Sequence, residues 1–233
     1  MTLVEICIDD IGGAAAAAAG GAHRVELCAG LGEGGLTPTP AFVASALAQA
    51  PALEHRVLVR PRAGDFVYDD AELEVMCADI ELLRASDVGF VIGASLPTGE
   101  LDERALDRLL TACGDAPTTC HKAFDAVPDP RRALDLLIDL GVRTVLTSGR
   151  PGPALDHLDV LADLVTYAAG RIEVLVGGGV RPGNVRRVLD ATGAPAVHLR
   201  APAVESAVDV GFGVRRTTDP VVVAQLLAAV RAV

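Results

Sequence analysis

The chain has 233 residues, 51% of them apolar and none of them Trp, enough to bury one large core without a second domain. Its formal net charge of −11 argues against nucleic acid or an anionic membrane as the main partner, although it leaves room for a local basic pocket. The sequence begins on strand-like residues rather than a secretory leader, and the run from Ala14 to Ala19 is too short to cross a bilayer, so a cytoplasmic protein is expected.

In chain order, Leu3–Ile8 alternates apolar and polar residues as a strand does, and Asp9 or Asp10 stands where it could cap a helix over Ile11–Ala19. Arg24–Leu27 reads as a second strand. The glycine-rich loop Ala29–Pro38 follows, then a helix over Pro40–Gln49 and a strand over His55–Val59. Asp69 or Asp70 opens a helix to about Ala85, Gly89–Ile92 is a short buried strand, and Asp102 starts a helix to Cys113. Thr118–Cys120 is the fifth strand, and Asp129-Pro130 opens a helix closed by Gly141. Thr144–Leu146, Arg171–Val176 and Ala196–Leu199 are the remaining strands. Helices are expected over Asp156–Ala168 and Gly183–Ala191 and from Asp219 to the C-terminus. Only the connection Pro202–Thr218 lacks periodicity. Strict alternation of about eight strands and helices in one chain predicts a single-domain (β/α)8 TIM barrel over residues 1–233. A doubly wound open sheet is the alternative, but the first turn lacks a GxGxxG fingerprint.

A barrel builds its site from the loops after its strands. Val4-Glu-Ile-Cys7 and Val25-Glu-Leu-Cys28 are nearly the same tetrapeptide, so Glu5, Cys7, Glu26 and Cys28 share faces of neighbouring strands. The two thiols read equally as core filler or metal ligands. The two glutamates need a partner, and Arg60 is the expected one. His121 is a candidate acid–base at a strand end, with Lys122 and Asp125 placed to tune it. The candidate acid–base set is therefore Glu5, Glu26, His121 and Asp125. The candidate anion-binding set is Arg60, Arg62 and Asp65, then Thr147 and Ser148, the glycines Gly177, Gly178 and Gly179, and His198. Five cysteines without CxxC or zinc-type spacing fit reduced thiols.

Taken in order, Glu26-Leu-Cys28, Glu33-Gly-Gly-Leu-Thr-Pro38, Arg60-Pro-Arg-Ala-Gly-Asp-Phe66, Met76-Cys-Ala-Asp-Ile80, His121-Lys-Ala-Phe-Asp125, Leu146-Thr-Ser-Gly149 and Gly177-Gly-Gly-Val180 resemble the CutC family, described as copper homeostasis proteins. The resemblance implies a TIM barrel, a cytosolic protein with a role in copper handling, and a homodimer or larger homo-oligomer. It also implies Cu(I) ligation at Cys7 and Cys28, with no organic cofactor. Lys122 stands where the family usually has Arg, and Leu199-Arg-Ala-Pro202 departs from its usual small or hydroxyl residue after His198. Two functions follow. One is a protein that binds copper ion. The other is an enzyme acting at the barrel mouth on a small anionic metabolite, phosphorylated ones included, without nucleic acid or membrane as partner.

Overall fold

Apolar side chains alternate along eight short strands, one set packing against helices and the other facing inward, and this pattern closes the sheet on itself. The computed structural model describes residues 2–204 and 216–231. The strands are β1 (Leu3–Ile8), β2 (Arg24–Leu27), β3 (Glu54–Leu58), β4 (Gly89–Ile92), β5 (Thr118–Cys120), β6 (Thr144–Thr147), β7 (Glu173–Val176) and β8 (Ala196–Leu199). They pair in parallel in chain order, and β8 returns to β1, so the barrel has no open edge. Helices α1 (Gly13–Ala19), α2 (Pro40–Gln49), α3 (Asp70–Leu83), α4 (Glu103–Cys113), α5 (Pro130–Asp139), α6 (Leu158–Ala168), α7 (Val185–Thr192) and α8 (Pro220–Arg231) follow the strands. The predicted single-domain TIM barrel is thus the fold. The alternative, a doubly wound open sheet, is not. None of the described helices is long and apolar enough to cross a membrane.

Residues such as Ile6, Val25, Val57, Phe90 and Val145 pack outward into one large core with Met76, Leu106, Leu134 and Leu161 of the helices. The inward set is different. Only two small apolar clusters occupy it, one of Cys7, Cys28, Leu58 and Val91, the other of Leu146, Leu175 and Ala196. The rest of the described interior is polar, with Thr119 and Thr144 beside a set of charged side chains.

Several helix starts follow local chemistry. Asp69 caps α3, accepting from Glu72 N–H while the Glu72 carboxylate accepts from Asp69 N–H, a full capping box. Asp102 and Asp129 cap α4 and α5, and Pro130 occupies the first turn of α5. The first helix departs from expectation. It begins at Gly13 behind Gly12, with no side-chain cap. Asp9 accepts instead from Leu31 N–H and Arg200, and Asp10 from the backbone N–H and hydroxyl of Thr218. Both carboxylates serve long-range contacts. The Pro202–Thr218 connection contributes a small antiparallel pair, β9 (Pro202–Val204) with β10 (Arg216–Thr218). The middle of that connection lies outside the described residues.

Candidate functional site

The barrel register sets Glu5 beside Arg24 on one side and beside His198 on the other. Strand alternation turns all three inward. Arg24 forms a close ion pair with Glu5 through its Nε, and its Nη2 donates to Glu173 at 2.8 Å. Glu5 Oε1 lies 2.7 Å from His198 Nδ1, and His198 Nε2 lies 3.8 Å from Glu26 Oε2. A chain of charged groups therefore runs through the barrel interior, from Glu173 near the amino-terminal end to Glu26 at the mouth. Arg56 lies beside it, paired with Glu54, and Gly89 leaves room for it: a Cβ at 89 would sit 2.7 Å from the Arg56 Cδ.

The electrostatics follow from this packing. Glu5 is 1% exposed. Burial alone would lift its carboxyl, but the His198 hydrogen bond and the Arg24 charge outweigh burial and hold it at about 2. Burial disfavours the His198 imidazolium, yet Cys7, Glu5 and Glu26 together raise it well above its ordinary value. Glu26 moves the other way: burial and the nearby Glu5 charge raise its carboxyl despite His198. Burial and Glu26 also push the Cys28 thiol up, and its Sγ donates to Glu26 Oε2 at 3.4 Å.

Above this floor lies a cavity of about 630 Å³. Cys7, Glu26 and His198 form its base, Leu31, Leu58, Phe66 and Leu146 give apolar wall, and His121, Lys122, Asp125, Arg60 and Arg200 complete it. Donor atoms of Cys7, Glu26 and His198 all lie within 4.8 Å of one another, the one such group among the described residues. His198 fits there because residue 177 is glycine: a Cβ would approach the ring to 3.3 Å and Leu146 to 2.8 Å. Gly93 does the same for His121, whose ring stands 2.4 Å from the place a Cβ would take.

The predicted site residues divide sharply. Glu26, His121, His198, Cys7 and Asp125 line one cavity as expected, with Glu5 directly beneath. Arg60 lines it too, but it is not the partner of the glutamates. Its guanidinium donates to the carbonyls of Glu33, Gly35 and Gly64 at 2.8–2.9 Å, and Arg24, which the sequence reading passed over, holds Glu5. Arg62 and Asp65 lie outside the cavity. Arg62 is occupied by Asp65 at 3.1 Å, by the Val67 carbonyl at 2.8 Å and by Glu72 of α3, so neither residue presents a free group to a ligand in the mouth. Asp125 accepts from Thr147 Oγ1 (2.6 Å), Ser148 Oγ (2.5 Å) and Ser148 N–H (2.9 Å), with Lys122 Nζ at 3.3 Å. This saturates the carboxylate and turns Thr147 and Ser148 away from any anion. The glycine run also differs from its expected role. Gly178 has a positive φ and packs so tightly that a Cβ would meet Ser148 at 2.8 Å, and its carbonyl accepts from Ala154 N–H. Gly178 serves this close approach beneath the 148–154 segment, Gly177 packs against Leu146 and His198, and none of Gly177, Gly178 and Gly179 lines the cavity. Cys28 sits behind Glu26, outside the Cys7–Glu26–His198 group.

Residues 2–203 match the profile of the CutC family. A family protein CutC of Rhizobium meliloti is 41% identical over 224 residues, spanning 93% of this chain and 91% of that protein. A protein of Homo sapiens named copper homeostasis protein cutC homolog is 42% identical over 200 residues, spanning 85% and 73%. A crystal structure from Streptococcus agalactiae, described as a copper homeostasis protein CutC, superposes with a TM-score of 0.81 at 33% identity over 85% of this chain and 98% of that one. Phosphoribosyl anthranilate isomerase from Thermococcus kodakaraensis superposes over the whole of both chains with a TM-score of 0.61 at 14% identity, a likeness of fold alone. With the profile match running from β1 to the start of β9, the chain belongs to the CutC family.

Proposed function

We propose that this protein handles copper in the cytoplasm, binding Cu(I) as cargo at the barrel mouth through Cys7 and His198. The observation that carries the reading is the convergence of Cys7, Glu26 and His198 within 4.8 Å on the cavity floor. A thiolate and an imidazole suit Cu(I), whereas Glu26 is a harder oxygen donor and takes the third position. The His198–Glu5 hydrogen bond supports the reading further, because a carboxylate on the far nitrogen fixes ring orientation in metal sites. All five cysteines are free thiols, as a reducing compartment requires. Relatives named for copper homeostasis supply the physiological setting. Cys28 is the second thiol of the reading, recruited only once copper displaces its proton, since burial holds that thiol protonated.

The test is anaerobic Cu(I) titration against a chromogenic Cu(I) chelator. Cys7→Ser should weaken Cu(I) retention by at least about 100-fold, the upper range for disturbed metal sites. Cys28→Ser should cost less, about tenfold, because its hydroxyl still donates to Glu26. If Cys7→Ser competes for Cu(I) as well as the unaltered protein, the cysteine is core packing and the copper site is elsewhere.

A further inference from the structure

Two donors on the cavity wall have no acceptor. His121 Nε2 and Arg60 Nε are both buried without a hydrogen-bond partner, on residues only 4% and 6% exposed. Geometry fixes the tautomer of His121. The Ala123 N–H donates to Nδ1 at 3.1 Å, so the ring proton sits on Nε2. Burial, helped by the Arg60 charge, pushes the imidazolium down to about 3, so the ring stays a neutral N–H donor through the physiological range.

Arg60 carries a permanent positive charge. Three of its hydrogen bonds end on carbonyls, the half-buried Tyr68 phenol lies beside it, and none of the described carboxylates pairs with it. The other cationic side chains of this cavity are compensated, Lys122 by Asp125, Arg200 by Asp9 and His198 by Glu5. A buried cation without a counter-ion is costly, and an incoming anion relieves that cost. The Phe66 ring lies against both groups, 4.5 Å from the His121 ring and 5.2 Å from the Arg60 Cζ. It is half-buried and lines the same cavity.

We propose that this corner of the cavity binds a small organic carboxylate, one oxygen accepting the His121 Nε2–H beneath the positive charge of Arg60. The assignment goes beyond copper and needs none of the copper donors. Carboxylate fits better than phosphate for two reasons. A phosphate dianion calls for several converging N–H groups, and Gly177, Gly178 and Gly179, the run that would supply them, do not line the cavity. The walls at Leu31, Leu58 and Leu146 are apolar, which suits the carbon skeleton of an organic acid.

The test uses the full chain, stripped of metal with EDTA that is then removed by exhaustive dialysis, and 15N-labelled at histidine. The His121 Nε2–H signal is followed by long-range proton–nitrogen correlation, with acetate, pyruvate and malonate as probes. Inorganic phosphate and chloride serve as controls at matched ionic strength. A saturable shift with a carboxylate, absent with phosphate and chloride, supports the assignment. His121→Ala should then weaken the carboxylate by at least about tenfold, the loss expected for a charge-assisted hydrogen bond. Cys7→Ser should leave carboxylate binding unchanged while copper retention falls, so the two readings fail separately. No saturable shift with any carboxylate overturns the assignment, even if His121→Ala does not fold. An equal response to phosphate, or carboxylate binding that survives in folded His121→Ala, overturns it as well.

Discussion

Arg24→Met should cost about 3–5 kcal/mol of stability, the range for removing one partner of a buried ion pair. Arg24 is 2% exposed and Glu5 1%, and Arg24 bridges Glu5 to Glu173 across the barrel interior. Met restores the stem volume but leaves the Glu5 carboxylate with His198 alone. Urea denaturation would show a lower midpoint at an unchanged slope. The pH dependence gives a second signature. Glu5 is depressed from 4.5 to about 2, so its contribution to stability is intact above pH 4.5 and is lost as pH falls toward 2. Without Arg24 the depression shrinks, and the acid loss of stability between those pH values should become shallower. A variant that keeps the same midpoint and the same acid slope would show that the interior charges contribute nothing to stability.

The second large effect is expected at Asp125. Its two oxygens accept two hydroxyls and one backbone N–H from Thr147 and Ser148, all buried. Asp125→Ala strands those donors, and each unsatisfied buried donor costs about 1–3 kcal/mol. The hydroxyls can rotate: Ser148 Oγ already bonds the Arg150 carbonyl, and Thr147 Oγ1 already accepts from Gly149 N–H. The Ser148 amide cannot. The total should therefore be about 3–4 kcal/mol, with Asp125→Asn losing roughly half because one acceptor oxygen survives. Equilibrium denaturation reads the total, and hydrogen exchange at Ser148 N–H locates it. Equal losses for Ala and Asn would mean that charge pairing with Lys122, and not the hydrogen bonds, carries the effect.

The barrel was readable because it rests on local pattern. Alternating strands ended by Gly, Pro or Asp recur about eight times, and strict strand–helix alternation has few solutions. The convergence of Cys7, Glu26, His121 and His198 was readable for the same reason, since each ends a strand or stands within one residue of its end. Partner choice was not. Whether Glu5 meets Arg24 or Arg60 depends on the barrel register, in which Glu5 lies directly beside Arg24. The available signal was the spacing Arg24-x-Glu26-x-Cys28, which puts the arginine on the face of Glu26. The roles of Asp9 and Asp10 were hidden likewise, because their partners Arg200 and Thr218 are 191 and 208 residues away along the chain. A glycine run reads as an anion loop or a close approach with equal ease, and only the packing of Leu146 and His198 on Gly177 and of Ser148 on Gly178 separates the two.

The Arg60 guanidinium is a mechanical link as well as a charge. Two of its bonds end on the loop after β2, at Glu33 and Gly35, and one on the loop after β3, at Gly64. Its own backbone N–H donates to Thr37 Oγ1, which binds its carbonyl in return. Neither loop can lift from the mouth without stretching bonds that belong to the other. The loops after β2 and β3, consecutive around the barrel, should therefore open together, and a substitution in either loop should alter admission past both.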